Sequence, residues 1–284
     1  MPPGPAGEVR GKGDPMDTTL APPVPLRPGN PRFQRLRVIF AMVVREMGTR
    51  FGRSAGGYLW ALGEPLGGIM MLAIAFSLAL RSPPIGTSFM LFYATGIVPF
   101  YLYNIMSKAV SQTVSTNRGL LSYPVVTVLD AMIAKFLLSF LTIFLVGTIL
   151  LSGIILGQGL YVNLDLGHAV LAFVLAALFG LGVGSVNCVL FGFFPTWKNV
   201  WGVLSRPLFL VSGIFYTFDS VPPAFQKVLI WNPLVHVIGV MRSGFYGTYN
   251  TYYVSYSYVL GVSLGLFVIG AWLMRRHASF LIEQ

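Results

Sequence analysis

Carboxylates, cysteine and nucleotide-binding signatures are what this chain has least of. It holds nine Asp and Glu residues and one cysteine in 284. Cys188 lies inside an apolar run, so no intrachain disulfide can form and the residue is read as packing. The carboxylates fall in the N-terminal tail, at Glu46 in the basic segment that follows it, near the edges of apolar segments (Glu64, Asp130, Asp165, Asp219) or at the C-terminus. Acidic residues deep in a span mark proton and sodium pathways, so their scarcity argues against ion-coupled transport. Glu64 is the exception, read either as coupling or, more simply, as pairing with a nearby arginine or capping a break at Pro65. No GxxxxGK[ST] loop occurs; the one Gly-Lys pair, Gly11 and Lys12, is followed by glycine. HExxH is absent, and His168, His236 and His277 are far apart. No catalytic residue and no metal site is expected.

Apolar sequence is abundant. With 55% hydrophobic and 10% charged residues and a mean hydropathy of +0.73, the chain has more apolar surface than one soluble core can hide. It reads as an all-α polytopic membrane protein. The net charge of +10 reflects membrane orientation and not nucleic-acid binding.

Residues 1–31 hold nine prolines and five glycines and are expected to be a disordered tail. No apolar core of signal-peptide length occurs there, so insertion through the first span without cleavage is expected. Residues 32–56 form an expected interfacial helix and elbow: Phe33, Leu36, Phe40, Val43, Met47 and Phe51 recur at helical spacing among Arg35, Arg37, Arg45 and Arg50. Residues 57–284 form the membrane domain, with six apolar segments at 58–80, 89–107, 131–157, 168–194, 200–218 and 256–274, each near the ~20 residues a span needs. Nine Lys and Arg precede the first span. Placing the N-terminus in the cytoplasm puts sixteen basic residues inside and leaves Arg81, Lys227 and Arg242 outside, so both termini are expected to be cytoplasmic.

The connections differ in kind. The inner one, 108–130, has room for a short helix and is interrupted at Pro124. The outer one, 219–255, carries two apolar pieces, 224–231 and 234–241, split by Asn232 and Pro233. They read as a broken re-entrant pair or as a hairpin lying flat on the surface. Aromatic residues cluster beside them and read as an interfacial belt or as a pathway wall that stacks on sugars. Small-xxx-small pairs at Gly63/Gly67, Gly153/Gly157, Gly180/Gly184 and Gly261/Gly265 permit close helix packing, within one chain or between two.

Arg45, Glu46, Arg50 to Arg53, Gly57 to Trp60, Glu64 and Pro65 resemble the start of the permease subunits of capsular-polysaccharide ABC exporters. The likeness continues through Thr95, Gly96, Pro99, Lys198, Trp201, Gly202, Leu204, Ser212 and Gly213. It resumes at Trp231, Pro233, His236, Arg242 and Gly244 to Gly247, covering 40–284. The resemblance implies six spans, a homodimeric pore in the bacterial cytoplasmic membrane, and a separate nucleotide-binding ATPase subunit holding ATP and magnesium. No cofactor is then bound by this chain itself. It implies a lipid-linked polysaccharide as cargo, with a periplasmic co-polymerase or outer-membrane export component as a further partner.

On that reading Arg45, Glu46, Arg118, Tyr123 and Pro124 couple to the ATPase. Arg50 and Arg53 receive the lipid phosphate, although anionic headgroups also account for basic residues there. Tyr93, Trp231, His236, Tyr246 and Tyr249 are the pathway residues, each of which also fits packing or an aromatic belt. An ABC permease for O-antigen, teichoic acid or a small hydrophobic compound stays open, as does an integral-membrane lipid-linked sugar transferase.

Overall fold

The computed structural model describes residues 31–51, 55–121 and 126–277, with side chains for 35–49, 59–121 and 126–277. These form ten α-helices and no strand among the described residues. The tail, the elbow around Arg53, and Tyr123 with Pro124 lie outside them, as does the side chain of Arg50.

Helix α1 (Pro31–Phe51) is amphipathic in two senses. Leu36, Phe40, Val44 and Met47 form an exposed stripe, while Met42 is buried against Ala131 and Ala134. Helix α2 (Ala55–Ala79) is apolar and mostly exposed, with Pro65 in its interior. The centre of the protein is α3 (Phe89–Ser111), started by Ser88, whose Oγ accepts from the Leu91 amide, and buried over most of its length. It runs into the short α4 (Thr113–Leu121), bent at Asn117, which supplies the helix expected in the 108–130 connection. Helix α5 (Val128–Gly157) opens with a reciprocal cap between Thr127 and Asp130. Helix α6 (Leu166–Phe193) is capped by Asp165; the hydrogen bond from the His168 ring at 2.7 Å holds that carboxyl below its usual range.

Glycines bring α3 and α6 together. A Cβ on Gly180 would stand 2.7 Å from Met106 Cβ and 2.9 Å from the Tyr103 carbonyl, and one on Gly184 would meet Val110 and Ser107 as closely. Of the four small-residue pairs, this one packs within the protomer, whereas Gly63, Gly67, Gly153, Gly157, Gly261 and Gly265 face open space. Gly180→Val is therefore expected to cost about 1–3 kcal/mol by overpacking, read as a lower thermal midpoint of the purified protein. Gly153→Ala should leave that midpoint unchanged.

The fifth expected span, 200–218, is helical over a shorter stretch than expected. Helix α7 (Trp197–Val211) has 15 residues, contains Pro207, and buries none of them. At 1.5 Å per residue it is about 22 Å long, short of the ~30 Å hydrocarbon core. The chain then turns at Gly213, φ 89°, a left-handed conformation that glycine adopts without steric cost. It passes a 3₁₀ turn (Phe218–Ser220) into α8 (Pro223–Leu229) and α9 (Pro233–Phe245). These two bend by 101° at the Asn232-Pro233 break and pass as a span only when taken together. The broken pair is thus present, with Asn232 capping α9 and proline in its first turn, where the missing N–H costs nothing. Helix α10 (Tyr256–Arg276) closes the bundle against α6. Among the described residues, five helices are long and apolar enough to cross a membrane, or six with the bent pair.

The chain alternates direction, so one end of the bundle collects α1, α4 and most of the basic residues. We call this the basic end. The opposite end carries α8, the α2–α3 and α5–α6 connections and the tyrosine cluster.

Candidate functional site

Two polar sites occupy the basic half. The larger is a cavity of about 610 Å³ between α2, α3, α6 and α7. Its α3 wall is a stripe at helical spacing, Tyr101, Asn104, Lys108 and Gln112; its α7 wall is Lys198, Trp201, Ser205 and Arg206. Glu64 enters from α2 and accepts a hydrogen bond from the Tyr101 hydroxyl at 2.8 Å. Among the described residues no carboxylate lies within ion-pairing distance of Lys108, Lys198 or Arg206. Three cations against the single carboxylate of Glu64 leave this apolar-floored cleft with a net positive potential, strengthened by the low dielectric around it. Hydroxyl, amide and indole groups beside them suit a ligand that is both anionic and hydroxyl-rich.

In the sequence, Lys198 and Arg206 count as markers of orientation, and Lys198 also as part of the family resemblance, neither as a cargo contact. The signal for more is available there: Lys198, Trp201, Ser205 and Arg206 share one face of α7, while Val200, Val203, Leu204 and Val211 lie exposed around the rest of it.

The second site ties α1 to the bundle. Arg45 Nη1 donates to Asn117 Oδ1 at 2.8 Å, joining α1 to the bend in α4. Glu46 pairs with Lys135 of α5 at 3.1 Å, where the lysine side chain is 5% exposed. A cleft of about 460 Å³ beside these residues also touches Lys108, so the two sites share a wall. Arg118 stands in the last turn of α4. The structure thus brings Arg45 and Glu46 together with α4; Tyr123, Pro124, Arg53 and the Arg50 side chain lie outside the described residues.

At the opposite end Trp231 is 72% exposed, its carbonyl accepting from the Tyr258 hydroxyl at 2.7 Å. His236 is buried, with Nε2 donating to the Ile230 carbonyl at 2.8 Å and Nδ1 accepting from the Ser255 amide at 3.2 Å. It stitches the α8–α9 bend to the start of α10 as a neutral imidazole. Tyr249 is buried and shares a hydroxyl contact of 2.9 Å with Tyr253. Tyr93 is fully buried among Phe76, Phe92 and Phe215, and Tyr246 is half-buried against Gly86. Trp231 is therefore the one of these five with its ring mostly on the surface.

Arg242, counted in the sequence among the outer charges, is 1% exposed inside the protein. It donates to the carbonyls of Tyr216 at 2.6 Å and Ile214 at 3.0 Å, and its guanidinium carbon sits 4.2 Å from the centre of the Phe92 ring.

A helical bundle with membrane-length apolar helices, a bent pair and a cationic cavity describes an integral membrane protein of the transporter kind. The chain belongs to the ABC-2 type transporter family, whose model matches residues 37–246. It is 32% identical to the polysialic acid transport protein KpsM of Escherichia coli over 86% of this chain and 95% of that one. It is 29% identical to the capsule polysaccharide export inner-membrane protein CtrC of Neisseria meningitidis serogroup B, over 87% and 94%. The O-antigen export system permease protein RfbA of Klebsiella pneumoniae is 25% identical over 78% and 85%.

Proposed function

We propose that this chain is the membrane subunit of an ABC exporter that carries a lipid-linked capsular polysaccharide across the bacterial inner membrane. The observation that carries this reading is the cationic cavity. An anionic lipid-linked head with sugars attached needs positive charge, hydrogen-bonding groups and an aromatic platform together, and Lys108, Lys198, Arg206, Asn104 and Trp201 supply them. The names of KpsM and CtrC support the same cargo class and location. On this reading Lys108, Lys198 and Arg206 hold the anionic head, and Arg50 and Arg53 guide it in. Trp231 stands at the exit with Tyr93, His236, Tyr246 and Tyr249 behind it.

The basic end faces the cytoplasm on this reading, following the excess of Lys and Arg there. Energy enters from a separate ATPase subunit against α1 and α4, because no phosphate-binding loop occurs in this sequence. Two copies of the chain form the pore, a reading supported by the exposed faces of α2 and α7 beside the cavity. The likeness to RfbA is the one observation favouring O-antigen as an alternative cargo, at lower identity. Deleting the gene tests the assignment: capsular polymer is expected to accumulate inside the cell and vanish from its surface. Normal surface polymer would remove the assignment.

A further inference from the structure

Helix α7 is fastened at its ends. None of its residues is buried within the protomer, and one face of it, from Lys198 to Phe209, lines the cavity. At the basic end, a hydrogen bond from Trp197 Nε1 to Asn187 Oδ1 at 3.0 Å ties it to α6. The other end is held much more firmly. Phe209 meets the rings of Phe100 and Phe215 edge-on, and Asn232 donates to the Val211 carbonyl at 3.2 Å. Beyond Gly213, Ile214 is fully buried, its Cα so near Gly96 of α3 that an added Cβ there would stand 3.2 Å away.

Arg242 completes this attachment. Its two donated hydrogen bonds reach the carbonyls of Ile214 and Tyr216 in the turn that follows α7, buried acceptors that need a donor. No acidic residue pairs with Arg242 among the described residues. A buried cation without a counter-ion persists only where fixed dipoles hold it, so these carbonyls and the face of Phe92 specify its position. The segment it grips follows Gly213, whose φ of 89° is open to glycine and strained for other residues.

We propose that α7 is a lever that turns about Gly213, with Arg242 as the positioning residue that pins the pivot, and that its far end widens and narrows the cationic cavity. Hinges of this kind are a few residues at element ends that absorb a dihedral change between rigid bodies. For a rod about 22 Å long, a turn of roughly 15° displaces the far end by about 6 Å while the pinned end hardly moves. The inference rests on the cavity being the seat of the cargo, but the motion itself does not depend on what is carried.

The test is pulsed electron resonance on the full complex with its ATPase in lipid nanodiscs, one protomer carrying two spin labels in a Cys188→Ser background. One pair, Asn199→Cys with Ser115→Cys, spans the basic end of the cavity; the other, Leu210→Cys with Thr87→Cys, reports on the pinned end. Between the nucleotide-free and ATP-trapped states the first distance is expected to change by about 6 Å and the second to stay fixed. If both shift together, or neither shifts, the lever is wrong. Arg242→Gln is expected to broaden the Leu210–Thr87 distribution, and Arg242→Lys, which keeps the charge without the two-pronged donor, to broaden it less. An unchanged sharp distribution in Arg242→Gln would remove the pin. A cargo other than an anionic glycan would leave these distances as predicted while the deletion strain kept its surface polymer.

Discussion

Replacing Lys198 and Arg206 together by glutamine is expected to reduce polymer export at least about 100-fold at unchanged protein level in the membrane. A hydrogen bond to a charged group contributes about 1.5–3 kcal/mol, and each 1.4 kcal/mol is a factor of ten. Taking two such bonds away from one anionic head reaches that figure. Neither side chain makes a hydrogen bond or ion pair with another described residue, so their removal frees no buried partner and should not unfold the protein. The result separates the two assignments for basic residues: if the cavity cations act on the cargo, export falls, whereas if they serve only orientation, Lys198→Gln with Arg206→Gln exports normally. Adding Lys108→Gln as a third substitution should deepen the loss, because Lys108 faces the same space from α3.

Breaking the Glu46–Lys135 pair has the second largest expected effect, and here the cost is to structure. Lys135 Nζ lies 3.1 Å from Glu46, and its side chain is 5% exposed. Removing one partner of a buried pair costs about 3–5 kcal/mol because the other charge is left without compensation. Glu46→Ala should therefore loosen α1 from α5, seen as faster proteolysis of α1 in membranes and lower steady-state protein. The double variant Glu46→Ala with Lys135→Met should recover most of that stability, since the stranded charge is gone. If α1 relays motion between an ATPase and the bundle, the recovered double variant still hydrolyses ATP but exports poorly. Recovery of both stability and export would make the pair purely structural.

Much of the architecture was legible because long apolar runs have few alternatives. Helices α3, α5 and α6 fall where hydropathy puts them, and Asn232-Pro233 announced the broken pair. Helix α7 misled for a physical reason. The apolar run continues through Val211, Ile214 and Phe215, yet the helix ends in a turn at Gly213, and hydropathy does not register a turn made by a glycine dihedral. Arg242 misled because a charge near tyrosines and glycines reads as loop, whereas its compensation comes from carbonyls 26 and 28 residues away. The α7 half of the cavity was readable as a polar stripe. The α3 half joins it only through tertiary packing, as does the Arg45–Asn117 bond, which spans 72 residues. The aromatic positions show a similar limit: aromatic clustering marked the opposite end of the bundle, but not that Tyr93 and Tyr249 would be buried while Trp231 stayed exposed.

The most direct measurement of the central claim is ATP-dependent uptake of lipid-linked capsular polymer into inside-out membrane vesicles that contain this chain and its ATPase. The account predicts uptake that requires ATP and falls at least about 100-fold with Lys198→Gln and Arg206→Gln. Vesicles that hydrolyse ATP yet take up no polymer, or take it up equally well with both cations removed, would contradict it.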